Sequence, residues 1–259
     1  MSDTQHNTEV LDLPSKGWFY PQTSPLSKGS IEIRYMGARE EDILTSTGLV
    51  KKGVAIDMVL KNVLVSPVNY DDLLIGDKNA LMIATRVLGY GKNYDVEVTC
   101  PICENKQKVT IDLAKLEHKE VNVEQWPQGV NEFSFELPIS HHKITFRFLC
   151  SKDETEVTSE LTAIKKIQTE YTPDLSTRMK KMITSVDGDR TLGRIAKFVD
   201  STNPTELVAG DSLALRRYVN KMQPGIDMEF DFKCSNKECA FEDRLTVPLS
   251  VEFFWPSGK

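Results

Sequence analysis

Apolar and polar residues alternate at Ile31-Glu32-Ile33-Arg34-Tyr35, a period of two that predicts a strand with one buried face. The period then lengthens. Ala38-Arg39-Glu40-Glu41-Asp42-Ile43-Leu44 opens a helix with acids in its first turns, where the macrodipole favours them. Ile56, Val59, Leu60 and Val63 share one face of a helix over about 51–63, and Ala80, Ile83, Ala84 and Val87 do the same over 77–88, until Gly89 and Gly91 stop it. Strand-like runs return at 94–99 and 108–113, and again as a hairpin at 133–137 and 143–149. From 153 to 222 the spacing is helical, in four stripes: Val157, Leu161, Ile164 and Tyr171; Leu175, Met179, Met182, Ile183 and Val186; Leu192, Ile195, Ala196 and Val199; and Leu215, Val219 and Met222. Pro224-Gly225 ends the last, and strand-like runs at 228–233 and 244–249 follow.

Two cysteine-bearing turns interrupt this pattern, Cys100-Pro101-Ile102-Cys103 and Cys234-Ser235-Asn236-Lys237-Glu238-Cys239, each between two strand-like runs. A turn with two thiolates two to four residues apart aims both sulfurs at one metal, and tetrahedral zinc needs two such turns. The layout is that of a zinc ribbon split by an insertion of about 130 residues. Two disulfides, free thiols or a site that has lost its metal are the alternatives. On the metal reading Cys100, Cys103, Cys234 and Cys239 hold one structural zinc, because four thiolates leave no open position for water or substrate. Cys150 has no spaced partner and reads as a buried core thiol.

The pattern implies an α+β fold: a split zinc-ribbon-like β module (93–120 and 226–256), an N-terminal helical region with its strand (31–92), and an inserted hairpin plus helical bundle (121–225). An N-terminal extended arm (1–30) precedes them, and its first ten residues read as disordered. The arm carries Trp18-Phe19-Tyr20 just before Pro21, and the C-terminus carries Phe253-Phe254-Trp255 just before Pro256. Successive residues of an extended chain point to opposite sides, so one face of each triplet can pack on the core and the other bind a partner. The competing reading is that the rings only cover the protein's own core.

Charge narrows the function classes. The 259-residue chain has a formal net charge of −6, so no positive field draws in phosphate backbones. Near the cysteine turns Lys106, Lys108, Lys233, Lys237 and Arg244 are offset by Asp95, Glu97, Glu104, Asp231, Glu238, Glu242 and Asp243. The N-terminus lacks a signal-peptide core and no stretch reaches the roughly 18 apolar residues of a membrane span, so a reducing cytosol is expected, which favours metal over disulfide. Gly89-Tyr90-Gly91-Lys92 follows a helix and lacks the phosphate-loop spacing. His141-His142, at the hairpin tip, could bind metal or sense pH, though such a pair is more often solvated. The chain contains no Gly-x-Ser-x-Gly and no HExxH, and a non-enzymatic role is expected.

Leu13-Pro14-Ser15-Lys16-Gly17-x-Phe19-Tyr20-Pro21, Ile31-x-Ile33-Arg34-x-Met36-x-Ala38-x-Glu40-Glu41-Asp42-Ile43-Leu44, Cys100-Pro101-x-Cys103, the run Cys234 to Cys239, Val247-Pro248-Leu249 and Phe253-Phe254-Trp255-Pro256 together resemble the baseplate hub and hub-assembly proteins of T-even-type contractile-tailed phages. The resemblance implies a structural or chaperone-like component of the baseplate hub, with other hub proteins as partners. It also implies a place in the host cytoplasm during assembly and in the virion tail. The alternatives are a zinc-ribbon adaptor for nucleic acid or the host transcription machinery, and a tail hydrolase with paired carboxylates.

Overall fold

The alternation at Ile31 and Ile33 becomes strand β2 (Ser30–Arg34), with both side chains buried, and β1 (Thr8–Asp12) pairs with it antiparallel, Glu9 opposite Ile33. The computed structural model describes residues 7–167, 170–248 and 251–254. Residues 8–10, read from sequence as disordered, are therefore strand, because pairing with β2 supplies a ladder that local hydrophobicity does not signal. Residues 1–6 lie outside the described residues.

Between the two strands the chain turns tightly. Gly17 and Gly29 both adopt positive φ, and a Cβ on Gly17 would lie 2.5 Å from the Ser27 carbonyl oxygen, so only glycine fits. The helices α1 (Ala38–Thr45), α2 (Thr47–Lys51), α3 (Ala55–Val63) and α4 (Ile75–Tyr90) follow. In α3, Val59, Leu60 and Val63 form the buried face that their spacing predicts. The first cysteine hairpin is β3 (Asn93–Thr99) with β4 (Lys106–Asp112).

A third sheet is made by β5 (Phe133–Glu136) and β6 (Lys143–Phe146), which continue into α5 (Ser151–Ile167) and α6 (Asp174–Met182). The helical stripe expected through Ile183 and Val186 breaks there. Those residues form β7 (Ile183–Val186), the third strand of the sheet, because the free edge of β6 captures them. Helices α7 (Leu192–Asp200) and α8 (Ala209–Met222) complete this part, and β8 (Glu229–Lys233) pairs with β9 (Glu242–Thr246) as the second cysteine hairpin. The fold is α+β, with small antiparallel sheets that do not merge.

The main core runs from Leu13 to Phe254 without respect for chain order. Phe19 packs edge-on against Phe133 and Phe148, at 5.4 and 5.2 Å between ring centroids, so the N-terminal turn and the insertion share one core. Gly76 at the start of α4 meets the chain leaving α8 so closely that a Cβ would lie 1.8 Å from the Pro224 carbonyl oxygen. Among the described residues no helix is long and apolar enough to cross a membrane.

Candidate metal centre

Each cysteine pair sits at the tip of its hairpin, where the residue after the second cysteine takes positive φ: Glu104 (57°) and Ala240 (48°). That left-handed residue turns the chain back into the returning strand. The tips close with matching backbone bonds, Cys100 N–H to the Asn105 carbonyl and Cys234 N–H to the Phe241 carbonyl, both 2.9 Å. The strands of the two hairpins do not pair with one another. Gln107 joins them instead. Its side-chain amide donates to the Lys233 carbonyl (2.8 Å) and accepts from the Ser235 N–H (2.6 Å), as a neighbouring strand would, and Asn105 Nδ2 donates to Ser235 Oγ (3.0 Å).

This junction brings the thiols together crosswise. Cys100 Sγ lies 3.8 Å from Cys239 Sγ, and Cys103 Sγ lies 3.6 Å from Cys234 Sγ. All four sulfurs fall within 4.8 Å of one another. A disulfide needs about 2.05 Å, so the cysteines are free thiols. A tetrahedron with 2.3 Å zinc–sulfur bonds has sulfur–sulfur edges of about 3.8 Å, so the donor set fits a zinc ion in both element and spacing. Cys100 and Cys234 are buried beside Phe232, and Cys103 and Cys239 are partly exposed.

The electrostatics point the same way. Burial disfavours the Cys100 thiolate, but the amides of Cys103 and Ile102, helped by the Cys103 and Cys234 thiols, bring its pKa down to about 7. At Cys239 the Phe241 amide favours ionisation, yet burial and the three other cysteines push the thiol up to about 12. Burial, with Cys103 and Cys100, likewise raises Cys234 against the Asn236 amide and Cys239. Crowded sulfurs cannot all carry charge by themselves, whereas a divalent cation among them favours four thiolates. Cys150 lies outside the group. Its thiol donates to Asp153 Oδ2 (3.1 Å) at the start of α5, where the same carboxylate oxygen accepts the Cys150 N–H (2.8 Å).

Four of the six rings expected to meet a partner are buried in the protein's own core. Phe19, Tyr20, Phe253 and Phe254 are 0–4% exposed, so these four rings are not offered to another protein. The alternation argument fails because neither segment is extended: residues 14–19 are turns with a bend at Tyr20, and Val251–Phe254 is a short 3-10 helix. Trp18 is half-buried and donates its indole N–H to the Trp126 carbonyl (2.8 Å), while Trp255 lies outside the described residues. Phe253 packs on Tyr94 of β3, and its carbonyl accepts from Arg86 Nε (2.7 Å), which ties the first hairpin to α4.

Asp77 was invisible to sequence reasoning. It is buried in the first turn of α4 and takes the Ser15 N–H (3.0 Å), the Ser15 hydroxyl (2.6 Å) and the Tyr20 hydroxyl (2.6 Å), while Tyr20 accepts the Leu74 N–H (2.8 Å). Burial raises the Asp77 pKa, opposed by these bonds. The signal that could have found it is an acid beside a glycine at the start of an otherwise apolar helix.

At the hairpin tip His141 is exposed, 3.8 Å from Glu136. His142 instead points Nδ1 at Asp187 Oδ2 (2.6 Å) and Nε2 at the Thr205 carbonyl (2.8 Å). Both partners are acceptors, so the ring satisfies both only as imidazolium.

A family model described as T4 bacteriophage base plate protein matches residues 18–255. Among curated proteins and among solved structures, nothing matches the chain.

Proposed function

We propose, from the premise that this chain belongs to the T4 bacteriophage base plate protein family, that it is a non-enzymatic structural or assembly component of the baseplate hub, stapled by one zinc ion. The observation that carries the zinc is the crosswise set of four free thiols, at separations of 3.6 and 3.8 Å, which matches the edges of a zinc–thiolate tetrahedron. Four protein ligands saturate such a metal, so its role is to hold the two hairpins and not to activate water. The hub assignment is supported by the run of motifs from Leu13 to Pro256, and the baseplate assignment beneath it by the family match over residues 18–255. Other hub proteins are the partners this reading implies, met in the host cytoplasm during assembly and then in the tail.

Affinity purification of the tagged chain from infected cells tests the reading. Hub proteins should co-purify in stable proportion. Recovery of the host transcription machinery, or of nucleic acid, with no baseplate protein would replace it with the adaptor reading.

A further inference from the structure

The outer edge of β8 is unfinished. Val247 donates its N–H to the Met228 carbonyl (2.8 Å) and Cys234 donates to the Phe241 carbonyl (2.9 Å), so the even-numbered residues of this strand turn their amides toward β9. Glu229, Asp231 and Lys233 therefore turn theirs outward. The outward ladder is occupied at both ends. At one end the Asp227 N–H reaches the Glu117 carbonyl (2.8 Å), and at the other Gln107 takes the Lys233 carbonyl and the Ser235 N–H. Between these anchors β4 stands off, and a cleft of about 500 Å³ opens between Val109–Asp112 and Glu229–Asp231. The backbone groups of Glu229 and Asp231 take no hydrogen bond there from the described residues.

The cleft also has a sign. Its walls carry the carboxylates of Asp112, Glu117, Asp227, Glu229 and Asp231 against Lys115 and Arg244, over an apolar floor that includes Ile111 and Phe230. Arg244 is shared among Asp227 (2.8 Å), Glu229 (3.2 Å) and Asp231 (4.0 Å), and the Asp231 side chain is 98% exposed. We propose that this slot receives an extended, basic segment of a partner protein, added as a strand along the free edge of β8. Unpaired main-chain groups give such a strand its hydrogen bonds, and alternate side chains give its specificity, here one apolar face on the floor and one cationic face on the carboxylates. The free stretch from Glu229 to Asp231 spans roughly 7 Å, so the segment pairs with it over about three residues. The negative walls repel a phosphate backbone, so the charge favours a peptide over nucleic acid.

The inference rests on the baseplate reading only for the source of the segment, and a synthetic probe separates the two. The probe is a fluorescein-labelled peptide of alternating lysine and valine, titrated into the full, zinc-loaded chain beside a glutamate–valine peptide of equal length. The lysine peptide should bind and the glutamate peptide should not. In wild type the Glu229 and Asp231 amides should exchange freely without peptide and become protected with it. Asp231→Pro removes the outward N–H together with the carboxylate and should weaken binding on the order of tenfold, against about threefold for Asp231→Ala, which removes the carboxylate alone. Absence of binding, equal binding of the acidic peptide, or unchanged exchange at Glu229 and Asp231 would overturn the proposal. So would a concentration-dependent dimer that Asp231→Pro dissolves, since that assigns the edge to a second copy. Each negative result leaves co-purification with baseplate proteins untouched.

Discussion

The body of the protein and its pair of cysteine hairpins use the same antiparallel strands and are held together by different means. In the body, Phe133, Phe146, Phe148 and Phe19 interlock with the helices in one continuous core, and Asp77 enclosed there is paired with Ser15 and Tyr20, whereas the Thr177 hydroxyl has no partner among the described residues. Among the described residues of the hairpins, Cys100, Phe232 and Cys234 make a small buried cluster of their own, Tyr94 and Ile111 at the far ends belong to the body's core, and the strands between are half exposed. So few buried residues cannot offset the entropy of ordering four strands, which is why small β modules use metals or disulfides. The difference teaches that one part is stabilised by burial, whereas the other, on the proposed zinc reading, depends on ligation.

The largest expected effect removes the ligation. Cys100→Ser, or strong chelation, should take bound zinc from one per chain to none, forfeiting on the order of 10 kcal/mol of metal-coupled folding energy in the hairpins. Amide exchange should rise throughout β3, β4, β8 and β9, while α3 and the sheet of β5, β6 and β7 keep their protection. Cys150→Ser should leave zinc content as in wild type. If all regions lose protection together, the two parts are not separately held and the comparison fails.

Asp77→Ala makes the converse cut. It strands the Ser15 and Tyr20 donors in the body and should cost about 3 kcal/mol in urea unfolding, with zinc stoichiometry still at one. Gln107→Ala probes the junction within the hairpins. Removing one two-way amide bridge should cost about 1 kcal/mol and should speed zinc release to a chromogenic chelator without lowering its stoichiometry.

The smallest effect is a pH dependence confined to the body. The Thr205 carbonyl and the Asp187 carboxylate raise the His142 pKa above its ordinary 6.5, against the opposing effect of partial burial, which is the largest single influence. Glu206 adds to the rise, while Arg194 lies 3.9 Å from Asp187 and shares its charge. A group whose native pKa is raised stabilises the fold fully below its unfolded value and loses that contribution as pH climbs through the native one. Relative to His142→Asn, the wild type should gain at most about 0.5 kcal/mol at pH 6, given solvent screening, and nothing at pH 9. Thermal midpoints of the two proteins at both pH values measure it.

Much of the body was legible in its spacing. Val59, Leu60 and Val63 are buried on the predicted face of α3, Ile31 and Ile33 lie inward on β2, and each cysteine turn sits between the strands its flanks predicted. The four thiols could also be read as one set, because ligand spacing within each turn is local and a second such turn has few other uses. What the sequence could not supply were the pairings that distance along the chain conceals. Ile183 and Val186 have spacing compatible with a helix, and only the free edge of β6 made them strand. Phe19, Tyr20, Phe253 and Phe254 looked available to partners, and only the folded chain buries them, because the turn and the short 3-10 helix that carry them aim the rings inward. Gln107 and Asp77 are ordinary polar residues until Lys233, more than a hundred positions away, and Ser15 are brought within hydrogen-bond reach. Periodicity and ligand spacing are short-range properties that the chain fixes for itself. Which edge, acid or ring finds a partner depends on long-range closure, and that is decided only when the core assembles.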